Sequence, residues 1–341
     1  MTFDNNDKPV SFGEERIVEG HTDWITKIIQ CPEKSDLILT SSRDKSIILW
    51  DTSDILDPKM ITSLHGHNHH VTDMTMSTDG THIVSSSRDK TLRVWNLPTQ
   101  KVSHILKGHT GPVFSVALSH SGRQIVSGSM DKTIKLWNIL GQCKHTINHS
   151  KYGHKHWVSS VRLPPSDRED KGRIISCSWD KTVKIWNNMT CNLEQSIKDT
   201  DMYLNTVEVS PDSTLYGSGG KDGWLRLYDL NNINTIKFDT GNEINAICFS
   251  PNRYFVCVAS GPDIKIYDLT AKTLVHTLSR KQKISDNPKK RNSAKEYQLQ
   301  PKCICLTWNL RGDAIYAGYT DNNLVIWHAN WDDGMNWDMS G

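Results

Sequence analysis

Four sets of side chains recur with the residue types of a hydrolytic triad. They are His21, Thr40 and Asp44; His67, Ser85 and Asp89; His109, Ser127 and Asp131; and His154, Ser176 and Asp180. An imidazole, a hydroxyl and a carboxylate within mutual reach can supply a base, a nucleophile and the group that orients the base. In each set the hydroxyl stands four residues before the carboxylate, and a tryptophan follows six residues after it: Trp50, Trp95, Trp137 and Trp186. An active site on one chain is not copied fourfold. The repetition therefore speaks for architecture and against acyl transfer.

Other candidate chemistry is weaker. His65, His67, His69 and His70 cluster, but His67 already belongs to a recurring set. Cys303 and Cys305 point to one face of a strand, yet no second pair accompanies them to complete a zinc site. The eight cysteines show no paired spacing, and Cys31, Cys177, Cys248, Cys257, Cys303 and Cys305, in or beside apolar strand patterns, read as reduced core residues. Gly217, Gly219, Gly220 and Lys221 lack the phosphate-loop spacing and precede a strand. The residues imply no metal, no cofactor, no small-molecule substrate and no enzymatic activity.

The elements that position these residues follow from the repeat. Ser87 to Asn96 reads SRDKTLRVWN, Ser42 to Asp51 reads SRDKSIILWD, Ser129 to Asn138 reads SMDKTIKLWN, and Ser178 to Asn187 reads SWDKTVKIWN. Gly220 to Asp229 (GKDGWLRLYD) and weaker copies ending at Tyr267 and Trp327 extend the series. The terminal aromatics are 45, 42, 49, 42, 39 and 60 residues apart. Asp-Lys or Asp-Gly supplies a turn, and the residues after it alternate as a strand. Upstream lie two more apolar strands and a Gly-His loop.

Self-similarity at this period, closing on Trp-Asp, resembles the WD40 repeat. The resemblance implies an all-β, seven-bladed propeller. It also implies that each His, Ser or Thr, Asp and Trp set forms a buried hydrogen-bonded chain. The fifth unit has Thr200 where the histidine belongs. The sixth has Gly261 at the aligned Asp position, and the seventh has Ala317 for the serine.

Along the chain, residues 1–12 read as flexible, 13–329 as the propeller and 330–341 as a tail. Arg16, Ile17 and Val18 are expected to pair beside Leu324, Val325, Ile326 and Trp327, closing the ring with an N-terminal strand. The 60-residue interval contains a basic loop, 279–300. Its Lys281, Lys283, Lys289, Lys290 and Arg291 suit RNA or an acidic partner. No run of about 18 apolar residues exists to span a membrane. The N-terminus lacks a signal-peptide core, so a cytoplasmic protein is expected.

The net charge is only +2, so its distribution matters more than its size. In each turn the Asp points into the blade and its neighbours point out. Repetition thus collects Arg43, Lys45, Arg88, Lys90, Lys132, Lys181 and Lys221 into one positive arc. Such an arc suits phosphate backbones.

Several segments carry a closer resemblance. They are 42–48, Trp157-Val158-Ser159, 178–181, 204–207, 218–223, 248–254, 260–269 and 316–322. On these the chain resembles the receptor for activated protein kinase C family. That resemblance implies a scaffold on the head of the small (40S) ribosomal subunit that recruits signalling proteins such as protein kinase C. It implies contacts from Arg43 and Lys45 to ribosomal RNA; Arg88 and Lys90 extend these by the rim argument. It links Ile264, Lys265, Ile266, Tyr267 and Asp268 to kinase binding. The alternative is a G-protein beta-type subunit or a general adaptor. The former needs a long N-terminal helix, and the residues before Gly20 lack heptads.

Overall fold

Short apolar runs separated by tight turns pair as antiparallel strands, and a computed structural model describes residues 9–13, 16–54, 57–148, 151–165, 172–198, 200–230, 235–280 and 300–331. The first complete sheet is β3 (Ile25–Gln30), β4 (Leu37–Ser42), β5 (Ser46–Asp51) and β6 (Lys59–His65), hydrogen-bonded in that order. The pattern repeats until seven sheets are made. Their innermost strands are β3, β7 (Val71–Met76), β11 (Val113–Leu118), β15 (Val158–Arg162), β19 (Leu204–Val209), β23 (Ile244–Phe249) and β27 (Cys303–Trp308). Each touches the next around a circle, and β27 returns to β3.

Burial follows from stacking blade on blade. The second strand of blade three, β12 (Gln124–Ser129), is buried on both faces from Ile125 to Ser129. A strand covered on both sides loses the polar alternation of a half-exposed one. Its outermost strand, β14 (Cys143–Ile147), is exposed except at Ile147. Close approach between blades demands small residues: a Cβ on Gly219 would meet Ile244 Cγ2 of the next blade at 2.6 Å.

The ring closes through the N-terminal segment. β2 (Arg16–Val18) pairs with β29 (Leu324–Trp331) in the register Arg16 to Ile326, Ile17 to Val325 and Val18 to Leu324. A further strand, β1 (Pro9–Phe12), pairs with the far end of β29, Phe12 opposite Ala329 and Pro9 opposite Trp331. Residues 9–12 were read as flexible and 330–331 as tail. Both are instead strand, because each offers the other the edge that it lacks. Residues 1–8 and 332–341 lie outside the described residues.

Four innermost strands are tied by one buried charge network. Arg162 on β15 donates through Nη1 to Asp73 Oδ2 on β7 (3.1 Å) and to Ser115 Oγ on β11 (3.0 Å). Its Nε reaches Glu208 Oε2 on β19 (2.9 Å). Ser115 Oγ and the Val116 amide complete the shell around Asp73. Burial alone would raise the Asp73 pKa, but Arg162, Lys27 and the Ser115 and Val116 hydrogen bonds together outweigh it, and the carboxyl stays below its ordinary value. Burial likewise opposes the charge on Arg162, and Glu208 and Asp73 together hold its pKa above the ordinary guanidinium value.

Candidate functional site

The turns between the second and third strands build one rim of the disc. In blade one the turn is Arg43-Asp44-Lys45, with Lys45 in the left-handed region at φ 75°. Lys90, Lys132, Lys181 and Asn322 repeat it at φ 71°, 70°, 72° and 70°, and Gly223 at 73°. A three-residue hairpin loop that ends in a left-handed residue produces this geometry. Blade six departs from it. Ser260 pairs directly with Asp263, leaving only Gly261 and Pro262, and Gly261 takes the positive φ of 62°.

Each turn aspartate is fixed from inside. His21 Nδ1 lies 2.7 Å from Asp44 Oδ2, His21 Nε2 lies 2.8 Å from Thr40 Oγ1, and Trp50 Nε1 donates to the same hydroxyl at 2.8 Å. The structure brings together His67, Ser85, Asp89 and Trp95 in the same way. It does so too for His109, Ser127, Asp131 and Trp137, and for His154, Ser176, Asp180 and Trp186. A neutral imidazole uses every proton once: Trp N–H to hydroxyl, hydroxyl to Nε2, and Nδ1–H to carboxylate. The hydroxyl is thereby occupied on both sides, which does not suit a nucleophile. Burial would raise the four aspartates, but the His bond and a following Ser or Thr hydroxyl hold them well below the usual carboxylate range.

Burial lowers the pKa of His67 and His154 against the pull of their aspartates. Below the ordinary value of 6.5 the unfolded chain binds protons at these residues that the folded chain refuses. Stability from them is therefore complete above pH 6.5 and is lost as pH falls through their folded values. The melting temperature should drop between pH 7.5 and pH 5; a rise on acidification would contradict this assignment.

The incomplete blades use other partners. Asp222 is held by Thr200 Oγ1 (2.7 Å) and Arg226 Nη2 (2.6 Å), and Tyr228 stacks on Tyr216 at 5.0 Å. In blade seven Arg280 Nη1 reaches Asp321 Oδ2 at 2.6 Å and its guanidinium lies over Tyr319. Arg280 thus takes up the role of the missing histidine, although in sequence it opens the basic loop.

On the outside of the rim, Lys45, Arg88 and Lys90 are exposed and form no ion pair among the described residues. Arg43 is half-buried, its guanidinium 3.6 Å from the Trp24 ring centroid. Burial lowers its pKa first; Asp23 opposes this, and the nearby positive charge of Arg88 adds to it. His70 is lowered by burial, then by His69, Arg43 and Arg88. Arg43, Arg88 and His70 therefore share one positive field across blades one and two. Sequence reasoning missed Trp24 and saw His70 only as part of a histidine cluster; both precede the innermost strands rather than lying in the repeated turn.

Other proposed contacts fare differently. Ile264, Lys265, Ile266, Tyr267 and Asp268 form β25 (Asp263–Asp268), hydrogen-bonded between β24 (Phe255–Ser260) and β26 (Thr273–Leu278). Ile264, Ile266 and Tyr267 are buried, and Lys265 Nζ donates to the Thr240 carbonyl at 2.8 Å. As the third strand of a blade, this segment turns its apolar residues toward neighbouring blades and leaves Lys265 and Asp268 half-buried. Lys281, Lys283, Lys289, Lys290 and Arg291 lie outside the described residues. Among the described residues no group of three or more His, Cys, Asp or Glu is arranged to hold a metal.

Comparison with known proteins agrees with this geometry. The WD40 family (WD domain, G-beta repeat) matches residues 13–51, 58–96, 100–138, 141–187 and 231–268. The chain is 44% identical to the small ribosomal subunit protein RACK1 of Drosophila melanogaster over 316 residues, 91% of this chain and 95% of that relative. The chain belongs to the WD40 repeat family and, within it, to the RACK1 family, the receptors for activated protein kinase C.

Proposed function

We propose that this chain is a non-catalytic scaffold of the small ribosomal subunit in the cytoplasm. It docks on 18S ribosomal RNA through Arg43, Lys45, Arg88 and Lys90, and offers other surfaces to signalling proteins such as protein kinase C. The observation that carries this reading is the shared field of Arg43, Arg88 and His70 on one stretch of rim, in turns that also carry exposed Lys45 and Lys90. The name of the Drosophila relative supports the subunit as the partner.

Backbone cost adds weight. A lysine in the left-handed region costs roughly 1–2 kcal/mol, and blade five avoids it with Gly223. Blades one to four keep lysine there. Lys45→Gly with Lys90→Gly therefore removes two charges where glycine suits the backbone. The variant should melt at or above the parent temperature. In sucrose gradients of rising salt, its log–log slope for subunit binding should flatten by about 2, one for each lost phosphate contact. An unchanged slope would sink the phosphate role. The basic loop is assigned a second contact with RNA or an acidic ribosomal protein, and a chain lacking 281–299 should flatten the slope in the same assay.

A further inference from the structure

One backbone contact repeats around the rim. The residue that opens each turn donates its N–H to the carbonyl just before the innermost strand: Arg43 to Trp24, Arg88 to His70, Met130 to Pro112, Trp179 to Trp157 and Lys221 to Tyr203. These positions are therefore equivalent. The fold accepts Arg, Met or Lys at the first of them, so it does not require the indole of Trp179.

That indole is the centre of an aromatic ladder. Trp179 stacks with Tyr203 at 4.7 Å and 28°, and lies 4.4 Å from Trp157. His156 stacks on it at 5.8 Å and 19°, and Phe114 extends the series from Trp157 at 5.7 Å. The tryptophans, Tyr203 and Phe114 are only half-buried, and His156 is exposed. Three successive blades thus put rings on a rim where blades one and two put cations.

The charge beside the ladder is positive. Lys132 and Lys181 are exposed and form no ion pair among the described residues. The carboxylates of Asp131 and Asp180 in the same turns are turned inward to His109 and His154. Exposed Asp201 stands at the blade-five end. An acidic peptide would answer the lysines alone. Single-stranded nucleic acid uses both features, bases on aromatic rings and phosphates on cations.

We propose that the ladder of Trp157, Trp179, Tyr203 and His156 is a binding platform for single-stranded RNA. Unpaired bases add to the stack, and Lys132 and Lys181 take the flanking phosphates. The platform shares a rim with the docking contacts proposed above but uses blades three to five, so either can fail alone.

Fluorescence anisotropy of a labelled eight-nucleotide oligouridylate with the whole chain tests it. The single strand should bind more tightly than a duplex of equal length. Trp179→Arg, which installs the residue of blades one and two, should weaken binding about 5- to 150-fold although it adds a positive charge. Trp179→Met, the residue of blade three, should do the same, while Arg43→Asp with Lys45→Glu should leave most of the binding. The proposal is overturned if the wild-type chain prefers the duplex, or if a folded Trp179→Arg variant binds as tightly as its parent. It is also overturned if an acidic Glu-Tyr copolymer displaces the oligonucleotide more readily than unlabelled oligouridylate does, which would assign the ladder to a protein partner.

Discussion

Arg43→Asp with Lys45→Glu should yield a folded ring that no longer co-sediments with 40S subunits. Both side chains lie outside the Trp50, Thr40, His21 and Asp44 chain, so the blade retains its internal bonds. The Arg43 amide still donates to the Trp24 carbonyl whatever side chain follows. What changes is the field. Arg88 lies close enough to disfavour the charge on Arg43, a tension that a polyanion relieves. Two reversals replace attraction to phosphate by repulsion. The loss should exceed tenfold, since each phosphate contact alone contributes about one unit of salt slope, and it should be largest at low salt, where screening is weakest. Unchanged co-sedimentation of the folded double variant would remove RNA docking from this rim.

Arg162→Met should be among the most damaging single changes in the molecule. It strands Asp73 and Glu208 beside each other in the ring's interior without their shared guanidinium. Breaking a buried pair by removing one partner costs about 3–5 kcal/mol, which corresponds to a melting temperature lower by on the order of 10 °C. Asp73→Asn in the same background should recover part of the loss, because the penalty comes from the stranded charge rather than from the missing arginine. A melting temperature within a degree of the parent would show that the network does not hold the four blades together.

The period of the aromatic positions made the ring legible, and the resemblance to other propellers implied its closure by Arg16 to Val18. The hydrogen-bonded sets were legible because His, Ser or Thr, Asp and Trp keep their intervals in four blades. Residues that do not repeat were not. Trp24 and His70 sit beside the cations only because the inner strand and the turn meet across a sheet. Asp73, Ser115, Arg162 and Glu208 are far apart in sequence and meet only at the ring's centre. Arg280 looked like the start of a basic loop, whereas its side chain turns back to Asp321. The segment 264–268 came from the family resemblance alone, and only its strand position shows that the apolar side chains are buried. Periodicity reports what each blade shares; charge networks and ladders between blades come from differences among blades, which only closure brings into contact.

The central claim is that circular stacking brings Arg43, Lys45, Arg88 and Lys90 to one edge that meets RNA. The most direct measurement is a structure of this chain bound to the 40S subunit. RNA phosphates within hydrogen-bonding distance of Arg43 and Arg88, with the opposite rim open to solvent, is the predicted result. A subunit contact made through the opposite rim, with these four cations facing solvent, would contradict it.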